Sequence, residues 1–364
     1  MSRAVMAARR AALSREIAAH EADYYLSDAT PDIRFYTGCM DAGGYLLVPR
    51  EAKAPAILIT NAHDAPQAFA EATDTVILVW QPGDDPVSIL LAQIPSDSAR
   101  LVASGLPAAL HDELRHLGIA VRIEAGCASR LRRVKEAAEL ALMRQAARIV
   151  EAGMAAARDA LRPGVREIEV AAEAEYAMRR IGMDGRVFET KVESGPRSAM
   201  PSTYAGERQI EQGDLVLIDI GPTYRGYFGD LTRTFSIGAP GPDQRALLEL
   251  VLSAQSEGIA AVRAGVTGEA VDDAARGPIR HAGLIDGVLH NTGHSLGLAG
   301  DSLPLIAPGV STTLLAGECI TVEPGVYREG IGGVRIEDEV LVTESGCELL
   351  TSFPKTLESL IVPV

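Results

Sequence analysis

Apolar and polar positions follow two different rhythms along the chain. From about Tyr24 to Ala125, short continuous apolar runs (Tyr45-Leu46-Leu47-Val48, Ala56-Ile57-Leu58-Ile59, Val76-Ile77-Leu78-Val79-Trp80 and Leu101-Val102) alternate with helical stretches. Runs of this length without a polar face suit strands covered on both sides, so a small α/β domain is expected here. Upstream, Met1 to Ala22 sets Arg9, Arg10, Arg15, Glu16 and Glu21 among alanines. That is the pattern of an amphipathic helix, and it lacks the apolar centre of a signal peptide.

Past Gly126 to Arg130 the period lengthens. Leu140, Met143, Ala147, Val150, Met154, Ala157 and Leu161 fall three or four residues apart, which predicts an amphipathic helix over about 135–161, ended by Pro163-Gly164. Further helices are expected over about 166–181, 243–263 and 268–282, and strands over 214–220, 227–237, 318–327 and 333–343. Helices grouped apart from paired strands indicate an α+β fold. The expected division is therefore an N-terminal domain over 1–128 and a second domain over 129–364.

Length and charge narrow the function. At 364 residues the chain suits two domains of roughly 100 to 200 residues each. A formal charge of −15, with no basic run longer than Leu131-Arg132-Arg133-Val134-Lys135, argues against nucleic acid and acidic membrane surfaces as partners. No apolar run approaches the roughly 18 residues that span a bilayer. Cys39, Cys127, Cys319 and Cys347 form no C-x-x-C pair, so neither a disulfide framework nor a thiolate zinc site is expected, and a reducing cytoplasm fits.

The chemistry concentrates in the second half. Asp219 interrupts the apolar run Leu215-Val216-Leu217-Ile218-Asp219-Ile220, where an unpaired carboxylate is costly to bury. Asp230 lies across a Gly-Pro-Thr-Tyr-Arg-Gly turn from it, with Thr232 expected on its face and Arg233 on the other. Glu323 and Glu337 form a similar couple across a loop containing Pro324-Gly325 and closing with Gly332-Gly333. Thr321 is expected beside Glu323, and Arg335 beside Glu337 and Glu339. Arg335 is thus placed to hold a ligand or to receive a substrate anion. The two couples suggest two pseudo-symmetric hairpins converging on one centre. With an imidazole from His290-Asn291-Thr292-Gly293-His294, the four carboxylates match the oxygen-rich, one-nitrogen shell of hard or borderline divalent ions.

On these segments, together with Asp32-Ile33-Arg34-Phe35-Tyr36-Thr37-Gly38 and Ser194-Gly195-Pro196-Arg197-Ser198-Ala199-Met200-Pro201, the sequence resembles the pita-bread metallopeptidases, in particular the Xaa-Pro aminopeptidase and prolidase branch with its creatinase-like N-terminal domain. The resemblance implies an α/β N-terminal domain and an α+β pita-bread catalytic domain holding two divalent ions. Manganese or cobalt come first among these, with zinc or iron also accepted. It assigns Asp219 to one ion, His294 and Glu323 to the other, and Asp230 and Glu337 to both. Glu323 would shuttle a proton from an activated water to the leaving nitrogen, and His290 would belong to the outer catalytic set. A short-peptide or small-molecule substrate and a homodimer follow from the same resemblance.

Two positions depart from the family. Ser202 stands directly after the proline where proline-directed relatives have a histidine, and Asp301 stands seven residues after the metal-binding histidine where they have a second. These replacements make Ser202, Asp301 and Arg335 the candidate substrate contacts. They also leave the pocket more acidic, which suits a cationic or amidine-like substrate. Three readings follow: a two-metal Xaa-Pro peptidase; a non-peptidase hydrolase of a small C–N bond, as in ectoine hydrolases and creatinases, or a lyase; and a binding module without activity, which the full ligand set opposes. His20, His63, His111, His116 and His281 lie outside the motifs and are read as structural or solvated.

Overall fold

The apolar runs before Ala125 become strands of one mixed sheet. A computed structural model of the chain describes residues 2–95, 98–298 and 303–364. Contacts divide it into two units, Met1–Arg132 and Arg133–Val364. In the first, strands β1 (Tyr24–Ser27), β2 (Tyr45–Pro49), β3 (Ala56–Asn61), β4 (Thr75–Trp80), β5 (Arg100–Ala103) and β6 (Ala120–Ile123) lie in the order β4-β3-β2-β1-β5-β6. The β1–β2 and β2–β3 pairs are antiparallel, and the β3–β4, β1–β5 and β5–β6 pairs parallel. β1, β2, β3 and β5 are largely buried, as continuous apolar runs require. β4 is not: it is an edge strand and leaves Val76 exposed, so its apolar run does not mark cover on both faces. β1 and β6, each four residues long, are too short and too polar for periodicity to single out.

The Asp32–Gly38 segment is a helix, Thr30–Thr37, that Gly38 ends in the left-handed region at φ 80°. Buried Asp32 accepts from the hydroxyls of Tyr25 (2.5 Å) and Ser27 (2.6 Å) and pairs with Arg132, so this family-like motif ties the first unit together.

In the second unit the four expected helices appear as Ala137–Ala160, Glu167–Arg180, Pro242–Ala261 and Gly268–His281. The first starts where the Glu139 carboxylate accepts from the Glu136 amide at 3.0 Å. It buries Met143, Ala147, Val150, Met154 and Ala157 on the predicted stripe and stops just before Pro163. A sheet with the strand order Ile361–Val362, Leu231–Ile237, Leu215–Ile220 and Lys191–Ser194 packs its apolar side chains into the same core as these helices.

Three of the four expected strands are broken where a candidate metal-binding carboxylate sits. The 227–237 run divides into Tyr227–Phe228 and Leu231–Ile237 around Gly229-Asp230. The 318–327 run divides into Cys319–Val322 and Gly325–Arg328 around Glu323-Pro324, and the 333–343 run into Gly332–Arg335 and Asp338–Val342 around Ile336-Glu337. The last two runs still pair as one interrupted hairpin, with Val322 opposite Asp338 and Gly325 opposite Arg335. Apolar patterning does not register these interruptions because the residues on either side stay buried.

On the face away from the carboxylates, Arg233 is completely buried. It pairs with Asp338 at 2.7 Å and donates to the carbonyls of Phe353 (2.6 Å) and Pro354 (3.3 Å), while Lys355 also pairs with Asp338 at 2.6 Å. Removing one member of a buried pair strands the other, so Arg233→Ala is expected to destabilise the chain by about 3–5 kcal/mol. Denaturant unfolding of the full chain measures this; a loss below about 1 kcal/mol, the scale of an exposed pair, would contradict the role.

Candidate metal centre

Each carboxylate reaches the centre from a different piece of the broken sheet. Asp219 lies within Leu215–Ile220, directly opposite Thr232 on one neighbouring strand and Lys191 on the other. Asp230, Glu323 and Glu337 occupy the two-residue breaks, where the Glu323 and Glu337 amides donate to the carbonyls of Thr292 (2.7 Å) and Thr232 (3.1 Å) and not to a hairpin partner. His294 sits on a short strand whose close approach depends on Gly293: a Cβ there would lie 2.1 Å from the Thr321 carbonyl oxygen.

Together the five line a cavity of about 360 Å³ in the second unit. Ligand atoms of Asp230, His294 and Glu337 all lie within 4.8 Å of one another. His294 Nε2 is 3.5 Å from Asp230 and 3.4 Å from Glu323. The opposite ring nitrogen, Nδ1, is 3.0 Å from the Ser295 carbonyl, which fixes a proton there and turns Nε2 to the carboxylates. Thr321 donates to Glu323 at 3.3 Å, as expected from alternation. Thr232 donates to Glu337 at 2.7 Å and not to Asp230, because the break at Asp230 takes that residue out of the alternation. The Asp230 amide instead donates to buried Glu339 at 2.7 Å.

The electrostatics divide the carboxylates into two kinds. Burial raises Asp230, to about 6, and Glu323. Burial, followed by the charges of Asp230, Glu323 and Asp219, raises Glu337 well above the usual range. Asp219 goes the other way: burial opposes its charge, but Arg335 and Lys191 outweigh it. His294 rises to about 10 because Asp230 and Glu323 overcome burial. A divalent ion is the group that a self-repelling set of carboxylates beside an oriented imidazole fits. Asp219 Oδ1, buried and without a hydrogen-bond partner among the described residues, supports the same fit.

Arg335 is turned to Asp219. Its guanidinium donates to Asp219 Oδ2 at 2.6 Å, to the Tyr327 hydroxyl at 2.6 Å and to Thr232 at 3.2 Å. Tyr327 lies 2.9 Å from His290 Nε2, and His290 Nδ1 lies 2.7 Å from the Asn291 carbonyl. The geometry forms one directed line: Arg335 to Tyr327, Tyr327 to His290, His290 to the backbone. Burial and the Arg335 charge hold His290 down at about 4. Ser202 lines the cavity, whereas Asp301 lies outside the described residues.

Sequence reading missed Tyr327, Lys191 and Glu193. Tyr327 shares the parity of Glu323 and Gly325, a usable signal. Lys191 and Glu193 alternate in the short strand Lys191–Ser194, and two charges on one face of a buried strand were also a signal. Lys191 donates to Asp219 Oδ2 at 2.9 Å and is raised in pKa, since the attraction of Asp219 outweighs burial. Burial raises Glu193 to about 7.

Comparison with known proteins follows the same lines. The sequence model of metallopeptidase family M24 matches residues 141–344. The chain is 40% identical over 227 residues to the Xaa-Pro dipeptidase of Pyrococcus furiosus, a match covering 62% of this chain and 65% of that relative, just under two thirds of its length. It is 36% identical over 325 residues to the probable dipeptidase PepE of Mycobacterium tuberculosis, covering 87% and 85% of the two chains. Its structure resembles that of an Xaa-Pro dipeptidase from Bacillus anthracis, with a TM-score of 0.91 and 31% identity over 98% of this chain and 100% of the other.

With a folded-state value near 4 against about 6.5 unfolded, His290 stays neutral at neutral pH. The unfolded chain binds the extra proton between these values, so the stability from a neutral His290 is complete above about pH 6.5 and is lost as pH falls towards 4. NMR titration of the imidazole is expected to show no midpoint between pH 5 and 8; a midpoint near 6.5 would contradict the Arg335–Tyr327–His290 line.

Proposed function

Because this chain belongs to metallopeptidase family M24, we propose that it is a metal-dependent peptidase acting on Xaa-Pro dipeptides. The observation that carries the reading is the convergence of Asp230, His294 and Glu337 within 4.8 Å, with Asp219 and Glu323 on the same cavity. The dipeptidase names of its relatives support the substrate class. Nothing in them favours the small-amide hydrolase suggested by Ser202 and Asp301.

In this reading Asp230, His294, Glu323 and Glu337 hold a divalent ion, and Asp219 extends the cage towards a second. Manganese or cobalt suit the oxygen-rich donors, with zinc and iron accommodated. A divalent ion there supplies Lewis acidity, polarising the scissile carbonyl and acidifying the attacking water. Glu323 takes the proton from that water on its carboxylate and delivers it to the leaving nitrogen. Arg335 keeps Asp219 in place, and neutral His290, its Nε2 turned to Tyr327, faces the substrate as a polar, uncharged wall. The cavity, at about 360 Å³, lies at the small end of ligand pockets and suits a dipeptide better than a long chain. Free thiols at Cys39, Cys127, Cys319 and Cys347 agree with a reducing cytoplasm. Among the described residues no helix is long and apolar enough to cross a membrane. A homodimeric assembly belongs to the same reading.

A turnover screen of the full chain with manganese or cobalt, against Xaa-Pro dipeptides, Xaa-Pro-Yaa tripeptides and small amides, tests it. Cleavage of the dipeptides, abolished by chelator, is expected; turnover of amides alone would sink the reading. Glu323→Gln is expected to lower kcat by about 10²- to 10⁴-fold, the usual weight of a proton-transfer group, and Glu337→Ala to remove activity and metal together.

A further inference from the structure

A second group of metal-binding side chains lies in the first unit. The helix Arg3–Ala19 presents Glu16 and, one turn on, its cap His20, while Cys127 reaches them from the loop after β6. Ligand atoms of the three all lie within 4.8 Å of one another. Four residues of spacing put Glu16 and His20 on one face of the helix. His20 Nε2 is 4.0 Å from Glu16 Oε2, beyond hydrogen-bond reach, and its side chain is only 13% exposed. Cys127 is a wholly buried free thiol, and burial, followed by the charge of Glu16, pushes it up to about 11. No C-x-x-C spacing announces this group, because tertiary contact assembles it.

Donors and charges both suit zinc. A thiolate sulfur, an imidazole nitrogen and a carboxylate oxygen are ligands that this borderline ion takes in a tetrahedral shell, with water in the fourth position. Such a shell sets its donors about 3.5 Å apart, so closing the group takes movements of about 1 Å at the side-chain tips. Arg130 pairs with Glu16 at 3.2 Å and with Glu124 at 3.8 Å, and so steadies the Glu16 carboxylate from outside. Glu16, Glu124 and a Cys127 thiolate against Arg130 leave a formal charge of −2, which one divalent ion cancels. The last turn of the helix carries no basic residue, so the carbonyl end of its dipole also favours a cation there. We propose that Glu16, His20 and Cys127 form a zinc site in the first unit, sharing no residue with the carboxylate centre. On binding, the Cys127 thiol gives its proton to solvent and its sulfur lone pair to the ion. The ion fastens the first helix to the loop that leaves the sheet.

The test is cobalt(II) binding by the full chain, read in the near-ultraviolet. A thiolate ligand gives a sulfur-to-cobalt charge-transfer band there, and no cysteine lines the carboxylate centre to give one. The wild type, reduced, stripped with chelator and given cobalt(II), is expected to show the band and to lose it when zinc is added. Cys127→Ser and His20→Gln are each expected to lack it. Glu337→Ala, which disables the other centre, is expected to keep it, so failure of the peptidase reading leaves this inference standing. Zinc content after gel filtration is expected to fall by one ion per chain in His20→Gln relative to the wild type. No band in the wild type, a band that persists in Cys127→Ser, or an unchanged band in His20→Gln would overturn the site. Loss of the band in Glu337→Ala would overturn its independence from the carboxylate centre. Should Cys127→Ser, altered in the core, fail to fold, His20→Gln at the helix end decides by itself.

Discussion

Repulsion among Asp219, Asp230, Glu323 and Glu337 is the constraint on which the second unit depends. Four acids brought to one cavity cannot all stay charged unless cations answer them. The chain supplies two answers of its own, at Asp219, where Arg335 and Lys191 converge. Around Asp230, Glu323 and Glu337 it supplies an oriented imidazole, hydroxyl donors and, for Glu323, the more distant Arg335 at 3.9 Å, and there burial wins and the pKa values climb. The asymmetry between a compensated corner and an uncompensated one organises the site more than the pseudo-symmetry of its two hairpins does.

The sheet accommodates this set of acids by breaking. A carboxylate inside a continuous ladder is aimed by strand alternation alone, as Asp219 is. Asp230, Glu323 and Glu337 are aimed by two-residue gaps, which release them from that rule. Threonines follow the gaps: Thr232 serves Glu337 across the sheet, and Thr321 serves Glu323 from two residues away. Behind them, Arg233 fastens Asp338 to the chain around Phe353 and Pro354, so the strand next to Glu337 is held from its far face.

Much of this was legible in the sequence, for identifiable reasons. A charge in an apolar run is conspicuous, and all five candidate ligands stood out that way or through the His290-to-His294 run. Helix periodicity gave the four long helices to within a few residues, because their buried stripes are regular. The breaks were invisible, since Gly229, Pro324 and Ile336 do not disturb an apolar average, and the Thr232 contact was misdirected as a result. Lys191 was passed over because a lysine normally marks solvent; its alternation with Glu193 was a signal, and its register opposite Asp219, a long-range fact, gives that signal meaning. Tyr327 joins Arg335 to His290 by a tertiary contact, of which the sequence carries only the parity that Tyr327 shares with Glu323.

The line from Asp219 through Arg335 and Tyr327 to His290 has a thermodynamic consequence. It links Asp219, the acid with internal cations, to the wall of the cavity that His290 forms, through groups that are each hydrogen-bonded at both ends. Whatever redistributes charge on Asp219 changes the pull on Arg335, and through Tyr327 the readiness of His290 to accept a hydrogen bond. Linkage is reciprocal: if ion occupancy beside Asp219 alters substrate affinity by some factor, substrate alters ion affinity by the same factor. Such a centre would not have an ion affinity of its own, only one conditional on what occupies the cavity.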